Sequence, residues 1–158
     1  APVAAATDPS PDEPAVILYT SGTQGDRKGV LLTHLNVASV GQYVNEFMSY
    51  DDSAIEYVAA PLDHAFGFGR CRNILYAGAT AVFDDGPFNP ARLLQALETC
   101  GCNAISSVAT GMAIMLQHFA EEFAVYGQQV RWIKMGSQGL DRAYKEQLCE
   151  LFPDACLV

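Results

Sequence analysis

Apolar positions along the chain fall into short runs typical of strands and longer stretches with helical spacing. The unbroken β-rich run AVILYT predicts a strand buried on both faces of a sheet. A polar, glycine-rich segment follows, becomes apolar again and leads toward a helix. Thr33 stands where a helix N-cap belongs, ahead of apolar residues with roughly helical spacing: Leu35, Val37, Val40, Val44 and Phe47.

The same alternation continues to the last residue. Strands are predicted for AIEYVAAP, TAVF, NAISSV, VRWIKM and the final ACLV. Helices are predicted for FGRCRNILYAG, for ARLLQALETC after the cap Asn89 and Pro90, for GMAIMLQHFAEEFAVYG, and for RAYKEQLCELF after the cap Asp141. Strands that alternate with helices predict βαβ units, and hence an α/β fold with a mostly parallel sheet and helices on both faces.

Composition agrees with a folded domain. Half of the 158 residues are apolar and 17% are charged, which favours one domain with a sizeable core over a disordered chain. The longest helical stretch carries an apolar stripe that predicts core positions: Met112, Met115, Leu116, Phe119 and Phe123. No apolar run approaches the roughly 18 to 20 residues of a membrane span.

The N-terminal segment, the cysteines and the net charge exclude some classes of protein. Residues 1–14, rich in Pro and Ala, are interpreted as a linker or edge segment, with the domain occupying 15–158. Five cysteines without a CxxC pair favour a reducing compartment and hence a cytoplasmic location. The net charge of −9 argues against nucleic-acid binding, so any phosphate group must be bound at a local site.

The segment YTSGTQGDRKG has the parts of a phosphate-binding loop. Small residues let the backbone approach a ligand, hydroxyls and amides donate hydrogen bonds, and Lys28 supplies positive charge. Its spacing fits neither a Walker A loop nor the Rossmann fingerprint. From these residues alone, an ordinary glycine turn between strand and helix remains an alternative.

The same segment closely resembles the phosphate-binding signature T-S-G-T-T-G-x-P-K-G, followed by L-[ST]-H-x-N, of the adenylate-forming superfamily. Acyl-CoA synthetases, luciferases and the adenylation domains of peptide synthetases belong to that superfamily. The matching residues are Thr20, Ser21, Gly22, Thr23, Gly25, Lys28, Gly29, Leu32, Thr33, His34 and Asn36. Gln24 replaces a usual Thr and Arg27 replaces the usual Pro.

The resemblance continues downstream and covers most of 15–158. APLDHAFGFG is similar to the family's P-L-F-H-x-x-G segment, with Asp63 at the aromatic position. LYAGATAVF is similar to L-x-x-G-A-T-x-V, and VRWIKMGSQGL to the stretch that ends in a G-[SG]-A-x-L turn.

The resemblance implies a chemistry and a set of ligands. Such enzymes join a carboxylic acid to ATP as an acyl-adenylate, release pyrophosphate, and pass the acyl group to coenzyme A or to the phosphopantetheine arm of an acyl or peptidyl carrier protein. It implies a phosphate cradle of Thr20, Ser21, Gly22, Thr23, Gln24, Gly25 and Lys28. It also implies a wall near adenine and the acyl pocket from Gly136, Ser137, Gln138 and Gly139, where a plain strand-to-helix turn is the alternative. The Mg²⁺ of the family would take its expected ligand from beyond this chain.

Two neighbouring residues bear on catalysis and substrate. His64 matches a position beside the carboxylate and phosphates, although a structural histidine is the alternative. Asp63 could pair with the α-amine of an amino-acid substrate, or it could cap the following turn. The flanking Pro61, His64 and Gly67 resemble the acyl-CoA synthetase version, so a fatty or other organic acid is favoured over an amino acid.

Much of the family's machinery, including its small C-terminal domain, does not occur in these 158 residues. By resemblance, this suggests that 15–158 are a fragment of the large N-terminal domain, with little activity alone. Two other interpretations stay open: a non-catalytic module that binds nucleotide or partners, and a doubly wound domain that binds no nucleotide. Apolar edges exposed in such a fragment would favour self-association.

Overall fold

The computed structural model describes residues 8–20, 27–83, 88–136 and 139–158. Five parallel strands form one sheet, in the order β4-β3-β5-β6-β7, and β1 and β2 form a separate antiparallel pair. The predicted α/β class with a mostly parallel sheet is confirmed. The elements are β1 Pro14–Tyr19, β2 Gly29–Thr33, α1 His34–Met48, β3 Ile55–Val58, α2 Ala65–Ala77, β4 Thr80–Phe83, α3 Pro90–Thr99, β5 Ala104–Val108, α4 Ala109–His118, α5 Ala120–Ala124, β6 Trp132–Gly136, α6 Arg142–Leu151 and β7 Cys156–Leu157.

Helices cover both faces of the sheet, as the alternation of strands and helices predicted. Because successive strand residues point to opposite faces, Tyr57 and Ile105 pack with the buried residues of α3 to α6. Val58 and Trp132 pack on the other face, with residues of α1 and α2. The predicted core stripe is confirmed for Met112, Met115, Leu116 and Phe123, all buried. Among the described helices, none is long and apolar enough to cross a membrane.

Helix ends follow local signals in the sequence. Thr33 and Asn36 form a reciprocal capping box at the start of α1. Asn89 caps α3, whose first residue is Pro90. Asp141 occupies the N-cap position of α6 but makes no side-chain cap hydrogen bond. The long helix predicted for 111–127 is instead two helices, α4 and α5, which meet at Phe119 in a non-helical conformation.

The prediction that β1 is buried on both faces is wrong. β1 pairs antiparallel with β2, and this hairpin lies outside the parallel sheet. Ile17 and Tyr19 are 52% and 65% exposed, whereas Val16 and Leu18 are partly buried. The unbroken apolar run hid this one-sided burial, because an apolar run does not reveal which neighbours its strand will find. Gly29–Thr33, interpreted as part of the approach to a helix, is the second strand of the hairpin.

A buried ion pair joins α2 to β3, an inner strand of the sheet. Glu56 on β3 accepts hydrogen bonds from Arg70 Nε at 2.8 Å and Arg70 Nη2 at 2.5 Å. Tyr50 Oη donates to the same carboxylate at 2.6 Å, and Ser106 Oγ on β5 also donates to it. The two charged side chains are 1% and 2% exposed. Burial, followed by the charge of Glu56, raises the pKa of Tyr50 above its ordinary range, so the phenol stays protonated and donates.

Replacement of Arg70 by Met is expected to lower the free energy of unfolding by about 3–5 kcal/mol, because it leaves Glu56 buried without its counter-ion. Arg142→Met is the matched control, because Arg142 pairs with Glu146 on an exposed helix surface, where loss of the pair costs roughly 0–1 kcal/mol. Urea unfolding followed by circular dichroism measures both. Should Arg70→Met not fold, the double variant Glu56→Gln/Arg70→Met is expected to regain folding, since it removes both charges. Equal small losses for the two Arg variants would contradict this account.

Candidate functional site

The start of α2 is fixed by its own cap and by close packing. His64 is the N-cap, and its Nδ1 accepts a hydrogen bond from the backbone N–H of Phe66 at 3.3 Å. A neutral imidazole that accepts at Nδ1 carries its proton on Nε2, so the second nitrogen of His64 is assigned as a donor. A Cβ on Gly67 would lie 2.1 Å from the carbonyl oxygen of Pro61, so only glycine lets the helix start this close to the preceding loop.

The β1–β2 hairpin holds Thr20 and Lys28 opposite each other. The backbone N–H of Thr20 donates to the carbonyl of Lys28 at 2.9 Å, and the backbone N–H of Lys28 donates to Thr20 Oγ1 at 3.3 Å. These two exposed residues form the mouth of the phosphate-loop candidate. The remaining cradle residues lie outside the described residues: Ser21, Gly22, Thr23, Gln24 and Gly25.

A cavity of about 380 Å³ lies between the hairpin and the carboxyl ends of β3 and β5. This edge of a parallel sheet is where α/β proteins bind ligands. The cavity brings together three of the predicted site residues, Thr20, Asp63 and His64. Lys28 and Gly139 are not among its lining residues, which are Tyr19, Thr20, Arg27, Ala60, Pro61, Asp63, His64, Phe66 and Val108.

The last residue of β6, Gly136, meets the cavity through Phe66. A Cβ on Gly136 would lie 2.3 Å from the Phe66 ring, and Gly136 is paired in register with the cavity residue Val108. Ser137 and Gln138 lie outside the described residues. Gly139 is exposed, and a Cβ there would meet nothing within 4 Å, so packing does not explain that glycine.

Asp63 does not cap α2, because His64 is the N-cap residue. Within the ranges that the structure describes, the Asp63 carboxylate makes no hydrogen bond or ion pair. It lines the cavity with the positively charged Arg27, so the site holds both signs of charge.

Sequence reasoning missed two residues near this site. Phe66 lines the cavity and packs on Gly136, and its only sequence signal was its place within the HAFG segment. Lys134 lies two residues before Gly136 on β6, and the sequence predicted only a strand at that position. Burial, followed by the positive charge of Arg70, lowers the pKa of Lys134 to about 8.

The described part of the chain offers no metal centre. It contains no group of three or more His, Cys, Asp or Glu side chains arranged to hold an ion. Asp63 is therefore a lone carboxylate near the cavity, and the residues described here do not by themselves fit Mg²⁺.

Comparisons with known proteins identify the family. Residues 2–158 match the model of AMP-binding enzymes. A 4-coumarate–CoA ligase-like protein of Arabidopsis thaliana is 29% identical over 143 residues, which are 90% of this chain and 25% of that protein. Feruloyl-CoA synthase of an Amycolatopsis species is 33% identical over 123 residues, 72% of this chain and 24% of the synthase. The chain thus spans about a quarter of the length of these relatives.

The fold is also found among solved structures. The o-succinylbenzoate coenzyme A synthetase of Bacillus subtilis, solved in complex with AMP, superimposes with a TM-score of 0.77 and 24% identity. The match covers 91% of this chain and 29% of that chain. At this identity the likeness shows the fold alone.

Gly136→Ala is expected to lower the free energy of unfolding by about 1–3 kcal/mol, because the new methyl group collides with the Phe66 ring. In a Phe66→Ala background the same change is expected to cost much less, since the obstacle is gone. Gly139→Ala is the matched control, expected to stay within about 0.5 kcal/mol. Thermal and urea unfolding of Gly136→Ala, Phe66→Ala, the double variant and Gly139→Ala measures the coupling between positions 136 and 66. An equal loss from Gly136→Ala in both backgrounds would contradict the contact.

Proposed function

The chain belongs to the family of AMP-binding enzymes, and we propose that, within a longer polypeptide, it activates a carboxylic acid with ATP. The proposed products are an acyl-adenylate and pyrophosphate, after which the acyl group passes to a thiol. One observation carries the proposal: the hairpin mouth at Thr20 opens onto the same cavity as Asp63 and His64. That arrangement places a phosphate-loop candidate and two ionisable side chains around one space.

The chemistry requires positive charge and donors around the reacting groups. A carboxylate and a polyphosphate repel each other, so their reaction needs preorganised donors that stabilise charge in the transition state. Arg27 lines the cavity, and Lys28 stands at the hairpin mouth next to the lining residue Thr20. We assign the binding of the β- and γ-phosphates of ATP to Thr20 and Lys28, together with Ser21, Gly22, Thr23, Gln24 and Gly25.

His64 is proposed as the catalytic side chain of the described cavity. Its Nδ1 is occupied by the helix cap, so the ring cannot turn away without losing that hydrogen bond. The Nε2–H is then available to donate to an oxygen of the reacting carboxylate or of the α-phosphate. The cap thus orients the imidazole, which makes the structural and functional interpretations of His64 compatible.

Residues 136–139, at and after the end of β6, are proposed to frame adenine and the near part of the acid. Gly136 supports this because its backbone lies against Phe66, a cavity residue. Ser137, Gln138 and Gly139 follow Gly136 in the sequence and belong to the proposal. Mg²⁺ would accompany the nucleotide, but no step is assigned to it, because the described residues provide no fitting ligand group.

An organic acid and coenzyme A are the proposed substrate and acceptor. The arrangement of Pro61, His64 and Gly67 at the start of α2 supports this, as do the names of the relatives, which are CoA ligases and synthases. An amino acid transferred to a carrier protein is the second candidate. One observation favours it: the Asp63 carboxylate, which has no partner among the described residues, lines the cavity and could meet an α-amine.

The test is carboxylate-dependent exchange of labelled pyrophosphate into ATP by the longest native polypeptide that contains these residues. His64→Asn is the informative variant, because Asn can still cap α2 but lacks Nε2–H. It is expected to lower the exchange rate by roughly 10²- to 10³-fold, because removal of one hydrogen-bond donor to a transition state lowers the catalytic rate of other enzymes by about that factor. Lys28→Met is expected to weaken exchange as well, through loss of a phosphate contact.

His118→Asn serves as the matched control, because His118 is an exposed residue at the end of α4. It is expected to exchange at the wild-type rate. Fatty, aryl and amino acids are tested side by side, and the 158-residue chain alone is run in parallel and expected to show little or no exchange. If no acid supports exchange by a folded longer protein, the proposed activity is wrong and a binding module becomes the better account.

A further inference from the structure

Lys134 lies on the helix-covered face of the sheet that borders the cavity. Alternation along β6 places Trp132, Lys134 and Gly136 on one face. Trp132 belongs to the core cluster packed with α1 and α2, and Gly136 lies against Phe66 of α2. Lys134 therefore projects toward α2, between a core tryptophan and the cavity wall.

Positive charge exceeds negative charge around Lys134. Among the described side chains, Arg70, Arg72 and Glu56 act electrostatically on its ammonium group, so three cations share one carboxylate. That carboxylate is already occupied, because it accepts hydrogen bonds from Arg70, Tyr50 and Ser106. In the ranges that the structure describes, the Lys134 ammonium has no hydrogen-bond or ion-pair partner.

The neighbouring arginines show the same shortage of acceptors. Nη1 of Arg70 and Nε of Arg72 are buried and have no hydrogen-bond partner among the described residues. A chain with a net charge of −9 thus gathers three cations around one carboxylate, between α2 and the sheet. Buried charges are normally paired, so this cluster has fewer anions than cations.

The position of Lys134 distinguishes between possible anions. Gly136 is two residues further along β6, which corresponds to roughly 6.6 Å along a parallel strand. Because Phe66 lies on Gly136 and also lines the cavity, Lys134 is further from the hairpin mouth than the cavity wall is. Lys134 does not line the cavity, and the Phe66 ring lies between them, so an acid whose reacting carboxylate lies by His64 reaches Lys134 only when the Phe66 side chain turns aside. Phosphates held at Thr20 and Lys28 remain at the opposite side.

We propose that Lys134 binds a second carboxylate at the far end of the substrate, so that the enzyme prefers dicarboxylic acids to monocarboxylic acids of the same length. The inference rests on the proposed function and names the substrate class of that site. In this role Lys134 supplies binding and orientation, while the reacting carboxylate stays near His64. A substrate carboxylate beside Lys134 would accept a hydrogen bond from its ammonium group, which Glu56 does not do because its oxygens are occupied by other donors.

Pyrophosphate exchange with matched acids tests the proposal. Straight-chain dicarboxylates from succinate to suberate are compared with monocarboxylates of equal carbon number, using the longest native polypeptide. The wild type is expected to show at least a tenfold higher kcat/KM for one or more diacids. Lys134→Met is expected to abolish that preference mainly through KM, and Lys134→Arg to retain most of it. Lys145→Met, at an exposed position on α6, is the control expected to change neither value.

A binding measurement separates this inference from the activity itself. The lysines are reductively methylated with ¹³C, and the Lys134 signal is assigned by its loss in Lys134→Arg. Diacid added without ATP is expected to raise the titration midpoint of that signal, because a bound carboxylate favours the charged amine. Monoacid of equal length is expected to leave the midpoint unchanged.

Each outcome bears on one claim. Equal kcat/KM for diacids and monoacids, with Lys134→Met unchanged, would overturn the role of Lys134 and leave the proposed activity standing. A Lys134 signal that responds to ATP or pyrophosphate but not to diacid would also overturn it, in favour of a phosphate contact. If no acid supports pyrophosphate exchange but a diacid still raises the titration midpoint of the Lys134 signal, the proposed activity is refuted and the binding site is supported.

Discussion

The ion pair between Glu56 and Arg70 is the constraint on which the rest of the site depends. A carboxylate buried in the middle of a sheet is costly unless its hydrogen bonds and charge are satisfied. Here α2 supplies the counter-ion, β5 supplies Ser106, and the segment before β3 supplies Tyr50. Three parts of the chain must therefore be in place together. Because α2 carries His64 at its cap and Phe66 in its first turn, the same contacts position one wall of the cavity.

The opposite wall comes from a hairpin that does not belong to the sheet. Its connection to the body is α1, which follows β2 directly. The start of α1 is tied to the segment before the hairpin, since the His34 N–H donates to the carbonyl of Glu13 at 3.1 Å. Its last residue is tied to the sheet, because Trp132 Nε1 donates to the carbonyl of Met48 at 2.9 Å. A single helix thus links the phosphate-loop candidate to the strand that carries Lys134 and Gly136.

Structural features that depend on neighbouring residues in the sequence were predicted well. Thr33, and Asn89 with Pro90, mark helix starts through contacts only a few residues long, and the structure confirms both starts. The reciprocal contact of Asn36 with Thr33 was not predicted. TAVF coincides with β4. The hairpin was missed because an apolar strand looks the same whether it joins a parallel sheet or folds back on its neighbour.

The candidate site was predicted in part, and through resemblance more than through periodicity. Thr20, Asp63 and His64 do line one cavity, although nothing in their spacing reveals it. The contact of Phe66 with Gly136 joins positions far apart in sequence, so no local pattern could indicate it. The partner of Glu56 is 14 residues away, and FGRCRN shows only a helical pattern without revealing which arginine turns inward. Such pairings are set by tertiary packing.

The most direct test of the central claim follows an oxygen atom. The longest native polypeptide is given an accepted acid labelled with ¹⁸O in its carboxylate, together with ATP and a thiol acceptor, and the AMP is analysed by mass spectrometry. If the carboxylate attacks the α-phosphorus of ATP and the acyl group then leaves to the thiol, the AMP keeps one labelled oxygen. That result is predicted here. Unlabelled AMP, or ADP and phosphate in its place, would contradict carboxylate activation by adenylation.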